Sequence, residues 1–128
     1  MRIEHFALNV ADPVGMAGWY CSHLGFEVAR RSDGPSLAHF LRDPATGVML
    51  EIYQNPADQV PDYAGMDMLL LHLAFATADL TSDCAALVAA GARVESDQIL
   101  ADGSRVATLR DPWGLSIQLC QRADGYFH

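Results

Sequence analysis

Basic residues are scarce in this chain. Eight Lys or Arg stand against sixteen Asp or Glu, for a formal net charge of −8. Nucleic acids and anionic membranes are held through a basic footprint, which this balance does not supply. An anionic substrate stays open, because a bound divalent cation sets its own local field. Long apolar runs are also missing. The most apolar stretch, residues 66–78, contains Asp67 and His72 and is too short to span a bilayer. The opening MRIEHFALNV enters a strand pattern without the charged lead and apolar core of a secretory signal, so the chain reads as cytoplasmic. Cysteine is limited to Cys21, Cys84 and Cys120. An odd count without metal-type spacing predicts reduced thiols used as buried packing residues. There is no low-complexity segment. What remains is 51% apolar over 128 residues, enough for the core of one compact domain.

The organising feature is an internal repeat. His5-Phe-Ala-Leu-Asn-Val-Ala-Asp12 aligns with His72-Leu-Ala-Phe-Ala-Thr-Ala-Asp79, 67 residues further on. Leu41-Arg-Asp-Pro44 recurs as Leu109-Arg-Asp-Pro112, and Gly47, Glu51 and Gln54 then meet Gly114, Gln118 and Gln121. Each copy reads β-α-β-β-β. Strands are predicted at 2–10, 26–32, 36–42 and 47–54, then at 69–77, 93–99, 104–110 and 114–121. Asp12 with Pro13, and Asp79, take helix N-cap positions. Gly25 and Gly91 end the helices. Apolar stripes run through Val14, Ala17, Cys21 and Leu24 in the first helix, and through Leu80, Cys84, Leu87 and Val88 in the second. The expectation is an α+β fold of two tandem βαβββ modules related by a pseudo-twofold. Module one is 1–54 and module two is 69–122. Residues 55–68, with Pro56 and Pro61, form the linker and 123–128 a C-terminal tail.

Side chains alternate across a strand. Phe6, Leu8 and Val10 therefore oppose His5, Ala7 and Asn9, and Leu50 and Ile52 oppose Met49, Glu51 and Tyr53. In the second copy, Leu71, Leu73 and Phe75 oppose His72, and Ile117 and Leu119 oppose Gln118. Each of these strands has one apolar face for a helix and one mixed face with a single potential ligand. A pseudo-twofold brings equivalent strands together, which would set His5, Glu51, His72 and Gln118 around one cleft of a curved sheet. Unpaired, these groups would be costly to bury. A divalent cation removes the cost, and imidazole with carboxylate and amide oxygens suits Zn, Ni, Co, Mn or Fe(II). Taken singly, each has a plainer reading: a strand His is usually hydrogen-bonded, and Glu51 could face solvent. His23, His39 and His128 have no ligand-type repeat partner and read as surface or pocket residues.

With Ile3-Glu-His5, Trp19-Tyr20-x-x-x-Leu24-Gly25-Phe26, His72-Leu-Ala-Phe and Leu109-Arg-Asp-Pro-x-Gly114, nearly the whole chain resembles the vicinal oxygen chelate superfamily. That superfamily includes glyoxalase I, fosfomycin-resistance proteins, extradiol dioxygenases and bleomycin-resistance proteins. The resemblance puts His5, Glu51, His72 and Gln118 on the family's four metal positions. The fourth is usually Glu, and a Gln there can give an oxygen to a metal but cannot act as a base. In glyoxalase-like chemistry a metal-bound carboxylate moves a proton beside a chelated carbonyl, which leaves Glu51 as the base. Asn55 resembles a thiol-cofactor contact of bacterial glyoxalases, and Asn9 replaces the Arg expected for glutathione. The resemblance also favours a homodimer whose sites take His5 and Glu51 from one subunit and His72 and Gln118 from the other.

Three functions follow from these residues. The first is a metal-dependent lyase or isomerase of glyoxalase type acting on a small substrate with two chelating oxygens. The second is a non-haem Fe(II) extradiol-type dioxygenase using His5, His72 and Glu51. The third is a metal-free protein that binds a drug-like molecule against Phe40, Met49, Tyr53 and Trp113.

Overall fold

The computed structural model describes residues 1–125 and divides into two compact units, Met1–Pro61 and a second that begins at Asp62. The first unit runs β1 (His5–Asn9), α1 (Pro13–Leu24), β2 (Glu27–Arg31), β3 (His39–Arg42) and β4 (Met49–Tyr53). Its strands lie in the order β1-β4-β3-β2, with β1 parallel to β4 and the other pairs antiparallel. The second unit runs β5 (His72–Ala76), α2 (Leu80–Ala89), β6 (Arg93–Ile99), β7 (Arg105–Arg110) and β8 (Ser116–Gln121). It repeats the order as β5-β8-β7-β6 with the same directions. Even the irregularity repeats, with a bulge at Val28/Arg30 in β2 and at Val94/Ser96 in β6. The α+β fold of two similar βαβββ modules is thus the one the repeat predicts. His128 and the end of the predicted tail lie outside the described residues.

The repeated residues do repeated work. Asp12 accepts from the Gly15 backbone N–H at 2.9 Å and Asp79 from that of Ser82 at 3.0 Å, so each caps its helix. Gln54 donates to the Ala11 carbonyl at 3.3 Å, while Gln121 accepts from the Leu80 N–H at 3.1 Å. One amide side chain, with a donor and an acceptor end, therefore ties the last strand of either module to the entry of its helix. The glycines after the helices, Gly25 and Gly91, have φ of 76° and 106°, a region glycine enters without strain.

The helix stripes need correction. Pro13, Met16, Ala17 and Tyr20 are the buried residues of α1, whereas Val14 is 56% exposed. The buried stripe is rotated by about one residue from the predicted one, with the large Tyr20 and Met16 fully buried in place of Val14 and Leu24. In α2, Leu80 and Leu87 are buried and Val88 faces outward. Phe6 is 47% exposed although it shares a face with buried Leu8. It stands on β1 at the sheet edge, and α1 packs over β2, β3 and β4. The cysteines also depart from uniform burial: Cys120 is buried, but Cys21 and Cys84 are only partly covered. Partial burial raises both thiols, helped by Glu27 near Cys21 and Asp97 near Cys84.

The segment predicted as linker is not a plain tether. Its second half belongs to the second unit, where Tyr63 is buried and its carbonyl accepts from Arg110 Nη1 at 3.0 Å.

Candidate functional site

In the first unit, register decides which side chains meet. His5 lies opposite Met49, Ala7 opposite Glu51 and Asn9 opposite Tyr53, while Phe40 lies opposite Glu51 from the other side. The alternate residues Leu8, Leu41, Leu50 and Ile52 are buried, on the face of the sheet that α1 covers at β2, β3 and β4. His5, Met49, Glu51, Tyr53 and Phe40 therefore share the face away from the helix. There His5 Nε2 is 3.4 Å from Glu51 Oε2. The Phe40 ring meets the imidazole edge-on, with centroids 5.6 Å apart. The other ring nitrogen, Nδ1, is hydrogen-bonded to the Glu4 carboxylate. That bond raises the His5 pKa above the ordinary histidine value. The charges of Glu4 and Glu51 add to it, and desolvation opposes it.

In the second unit, His72 lies opposite Ser116, and Gln118 lies between Ala74 and Thr108. His72 Nδ1 is 3.2 Å from the Met68 carbonyl oxygen. A carbonyl can only accept, so Nδ1 carries a proton, and the tautomer this bond selects has its lone pair at Nε2. Gln118 is half-buried between Ser116 and Cys120, both buried on the same strand face.

The four predicted ligands thus fall as two pairs, His5 with Glu51 on the first sheet and His72 with Gln118 on the second. Among the described residues, no three His, Cys, Asp or Glu side chains form a group able to hold a metal ion. Of the predicted pocket residues, Phe40, Met49 and Tyr53 are on the His5–Glu51 face. Asn9 and Asn55 are engaged differently. Asn9 Oδ1 accepts from the Asn55 N–H at 2.9 Å, and the Asn55 side chain bonds the Ala57 N–H and Asp58 at 3.0 and 3.1 Å. They fasten the turn that follows β4. Trp113 sits in the β7–β8 turn of the second unit, whose Asp111 accepts from the Trp113 and Leu115 N–H groups, each at 2.9 Å. Of the other histidines, His23 is exposed beside Trp19. His39 is buried, donates to the Leu37 carbonyl at 2.7 Å, and lines an open groove of about 540 Å³ with Val14, Ala17, Cys21 and Val28. That groove lies on the helix side of the sheet, away from His5 and Glu51.

Sequence reasoning missed Glu4, the Met68 carbonyl and Arg110. Glu4 was visible beside His5, but adjacent strand residues ordinarily point to opposite faces. A backbone carbonyl leaves no trace in residue identity. Arg110 stood inside the repeated Leu-Arg-Asp-Pro, where it was read only as part of the repeat.

The described residues include no helix long and apolar enough to cross a membrane. Residues 2–119 match the family model described as Glyoxalase/Bleomycin resistance protein/Dioxygenase superfamily. No curated protein sequence matches the chain. Among solved structures, a glyoxalase family protein from Enterococcus faecalis is 27% identical with a TM-score of 0.74, covering 94% of this chain and 97% of that one. TnmS3, an antibiotic binding protein from Streptomyces sp. CB03234, is 22% identical with a TM-score of 0.74, over 96% and 97% of the two chains. A mutant of glyoxalase I from Zea mays is 24% identical with a TM-score of 0.75, over 96% of this chain and 46% of that longer one. With the family model covering nearly its whole length and the same fold in these neighbours, the chain belongs to the glyoxalase/bleomycin resistance protein/dioxygenase superfamily.

Proposed function

We propose that the chain is a divalent-metal-dependent lyase or isomerase of glyoxalase type, acting on a small substrate with two chelating oxygens. The observation that carries this reading is the 3.4 Å approach of His5 Nε2 to Glu51 Oε2, beside an aromatic wall from Phe40. The donor chemistry fits a cation such as Zn, Ni, Co, Mn or Fe(II). Both histidines have Nδ1 tied to an acceptor, Glu4 for His5 and the Met68 carbonyl for His72. Such outer partners orient an imidazole so that Nε2 is the ligating atom. Glu51 gives a carboxylate and Gln118 a neutral amide oxygen. Each unit supplies two donors. In this reading the protein works as a homodimer, each site joining His5 and Glu51 of one copy to His72 and Gln118 of the other.

The cation would supply the polarisation of a substrate carbonyl that makes the neighbouring C–H acidic. Glu51 then takes that proton and returns it to the adjacent carbon, so no proton is gained or lost overall. Gln118 cannot share this task, because an amide has no carboxylate-like basicity. Phe40, Met49 and Tyr53 keep water from the transferred proton.

Dialysis against each metal followed by metal analysis tests the first half, and turnover of a methylglyoxal–thiol adduct tests the second. Glu51→Gln is expected to keep part of the metal and to lose about 10²–10⁴ in turnover. Activity that survives this change removes Glu51 as the base. If no cation binds, the metal reading falls, and small-molecule binding against Phe40 and Tyr53 takes its place.

A further inference from the structure

Arg110 is the least explained charged residue of the second unit. Its side chain is only 12% exposed. Its guanidinium faces backbone more than countercharge. Nη1 donates to the Tyr63 carbonyl at 3.0 Å and the Gly114 carbonyl at 3.2 Å, and Nη2 donates to the Met66 carbonyl at 2.7 Å. Glu95 Oε1 is 3.8 Å from Nε. An ordinary structural ion pair would aim the guanidinium at the carboxylate. Here it is spent on three carbonyls, two of them in the segment that leads into β5.

That segment ends at the candidate site. The Met66 carbonyl held by Arg110 lies two residues before the Met68 carbonyl that accepts from His72 Nδ1. Between Met66 and His72 the chain turns tightly, with the Leu69 N–H on Asp67 Oδ1 at 2.8 Å and the Leu70 N–H on the Asp67 carbonyl at 3.0 Å. Sheet register brings the two ends together again. Arg110 lies opposite Ser116, and Ser116 lies opposite His72, so the three form one row across β7, β8 and β5. Ser116 in the middle is 1% exposed, and its Oγ has no hydrogen-bond partner among the described residues, so it does not itself fix the imidazole.

We propose that Arg110 is a positioning residue for His72. By pinning the Tyr63 and Met66 carbonyls, it holds the Met68 carbonyl against His72 and so fixes the tautomer with the proton on Nδ1 and the lone pair on Nε2. The first module has no such device: Arg42, at the matching repeat position, is paired with Glu27 at 2.6 Å, and His5 is held by Glu4. The part of the inference that concerns metal affinity rests on the proposed metal site. The part that concerns the tautomer does not.

The test is two-bond ¹H–¹⁵N correlation of the histidine rings in the full-length, metal-free protein, at a pH above imidazole titration. In the wild type, His72 is expected in the Nδ1–H tautomer. Arg110→Gln is expected to give a mixture of tautomers at His72 with His5 unchanged. Arg110→Lys, which can reach one carbonyl but not span two, should give an intermediate ratio. Where Arg110→Gln does not fold, Asp67→Ala loosens the same turn without touching the buried guanidinium, and is expected to shift His72 in the same direction. Nickel titration of the same variants is expected to show a 10–100-fold weaker site, the usual effect of losing an outer-shell partner. An Nδ1–H signal left fully populated in Arg110→Lys and Asp67→Ala overturns the proposal, whatever the metal does. A tautomer that shifts in a protein that binds no metal upholds the positioning role and removes the proposed metal site instead.

Discussion

The His5 imidazole has a carboxylate at each nitrogen, Glu4 bonded at Nδ1 and Glu51 at 3.4 Å from Nε2. Glu4 is the larger cause of its raised pKa, with Glu51 adding its charge. Because the folded pKa is raised, this cluster favours the folded state below the unfolded imidazole's pKa. The contribution is lost as pH rises through the raised folded value. Glu4→Gln is therefore expected to lower the His5 pKa toward the ordinary histidine value, read by NMR titration of its ring protons. Glu51→Gln should lower it less, and a larger effect from Glu51 would reverse the assignment of causes. At this scale the sequence identified the partners imperfectly. Alternation put His5 and Glu51 on one face, which needs only the pleat. Glu4 as the Nδ1 partner depends on side-chain rotamers at the start of β1. The engagement of Asn9 with Asn55 depends on how the chain turns after Tyr53, which residue identity does not encode.

At the scale of elements, burial separates residues that a helical wheel treats alike. Met16→Ala is expected to cost about 2–5 kcal/mol in denaturant unfolding, since Met16 is one of the buried residues of α1. Val14→Ala, in the stripe read from sequence but exposed, should stay within about 0.5 kcal/mol. Equal effects would restore the sequence-based stripe. The matched turns give a second contrast. Gly47 and Gly114 have φ of 77° and 88°, so alanine is strained at both. At Gly47 the added Cβ meets open space, and the cost should be roughly 1 kcal/mol. At Gly114 it would fall 2.5 Å from the Ala64 Cβ and 2.8 Å from its Cα. Backbone must move there, so Gly114→Ala is expected to be the more destabilising by at least about 1 kcal/mol in thermal or urea unfolding. The repeat aligned the two glycines, and the structure gives them the same left-handed conformation. The segment against Gly114 is a tertiary matter, because the first module places nothing at the same spot.

At the scale of the whole molecule, the proposed homodimer makes a mixing prediction. A His5→Ala chain and a His72→Ala chain each spoil both sites of their own dimer. Mixed and refolded together, they are expected to recover metal binding at one site per heterodimer, measured by nickel titration after separation by charge tag. No recovery would mean that each chain closes its own site. The sequence by itself determined the module plan: the βαβββ succession and the helix caps follow from local patterns repeated 67 residues apart, whereas the order of strands in each sheet and the Gln54 and Gln121 ties are seen only in the fold. It also determined which strand face is apolar, because the pleat has a period of two and needs no long-range information. Tertiary structure alone decided that Val14 and Phe6 are exposed, that Asn9 fastens a turn, and that Arg110 reaches past its own strand to the chain leading into His72. Each of these depends on which distant segment fills a given volume or offers a given carbonyl, and neither spacing nor residue type records that.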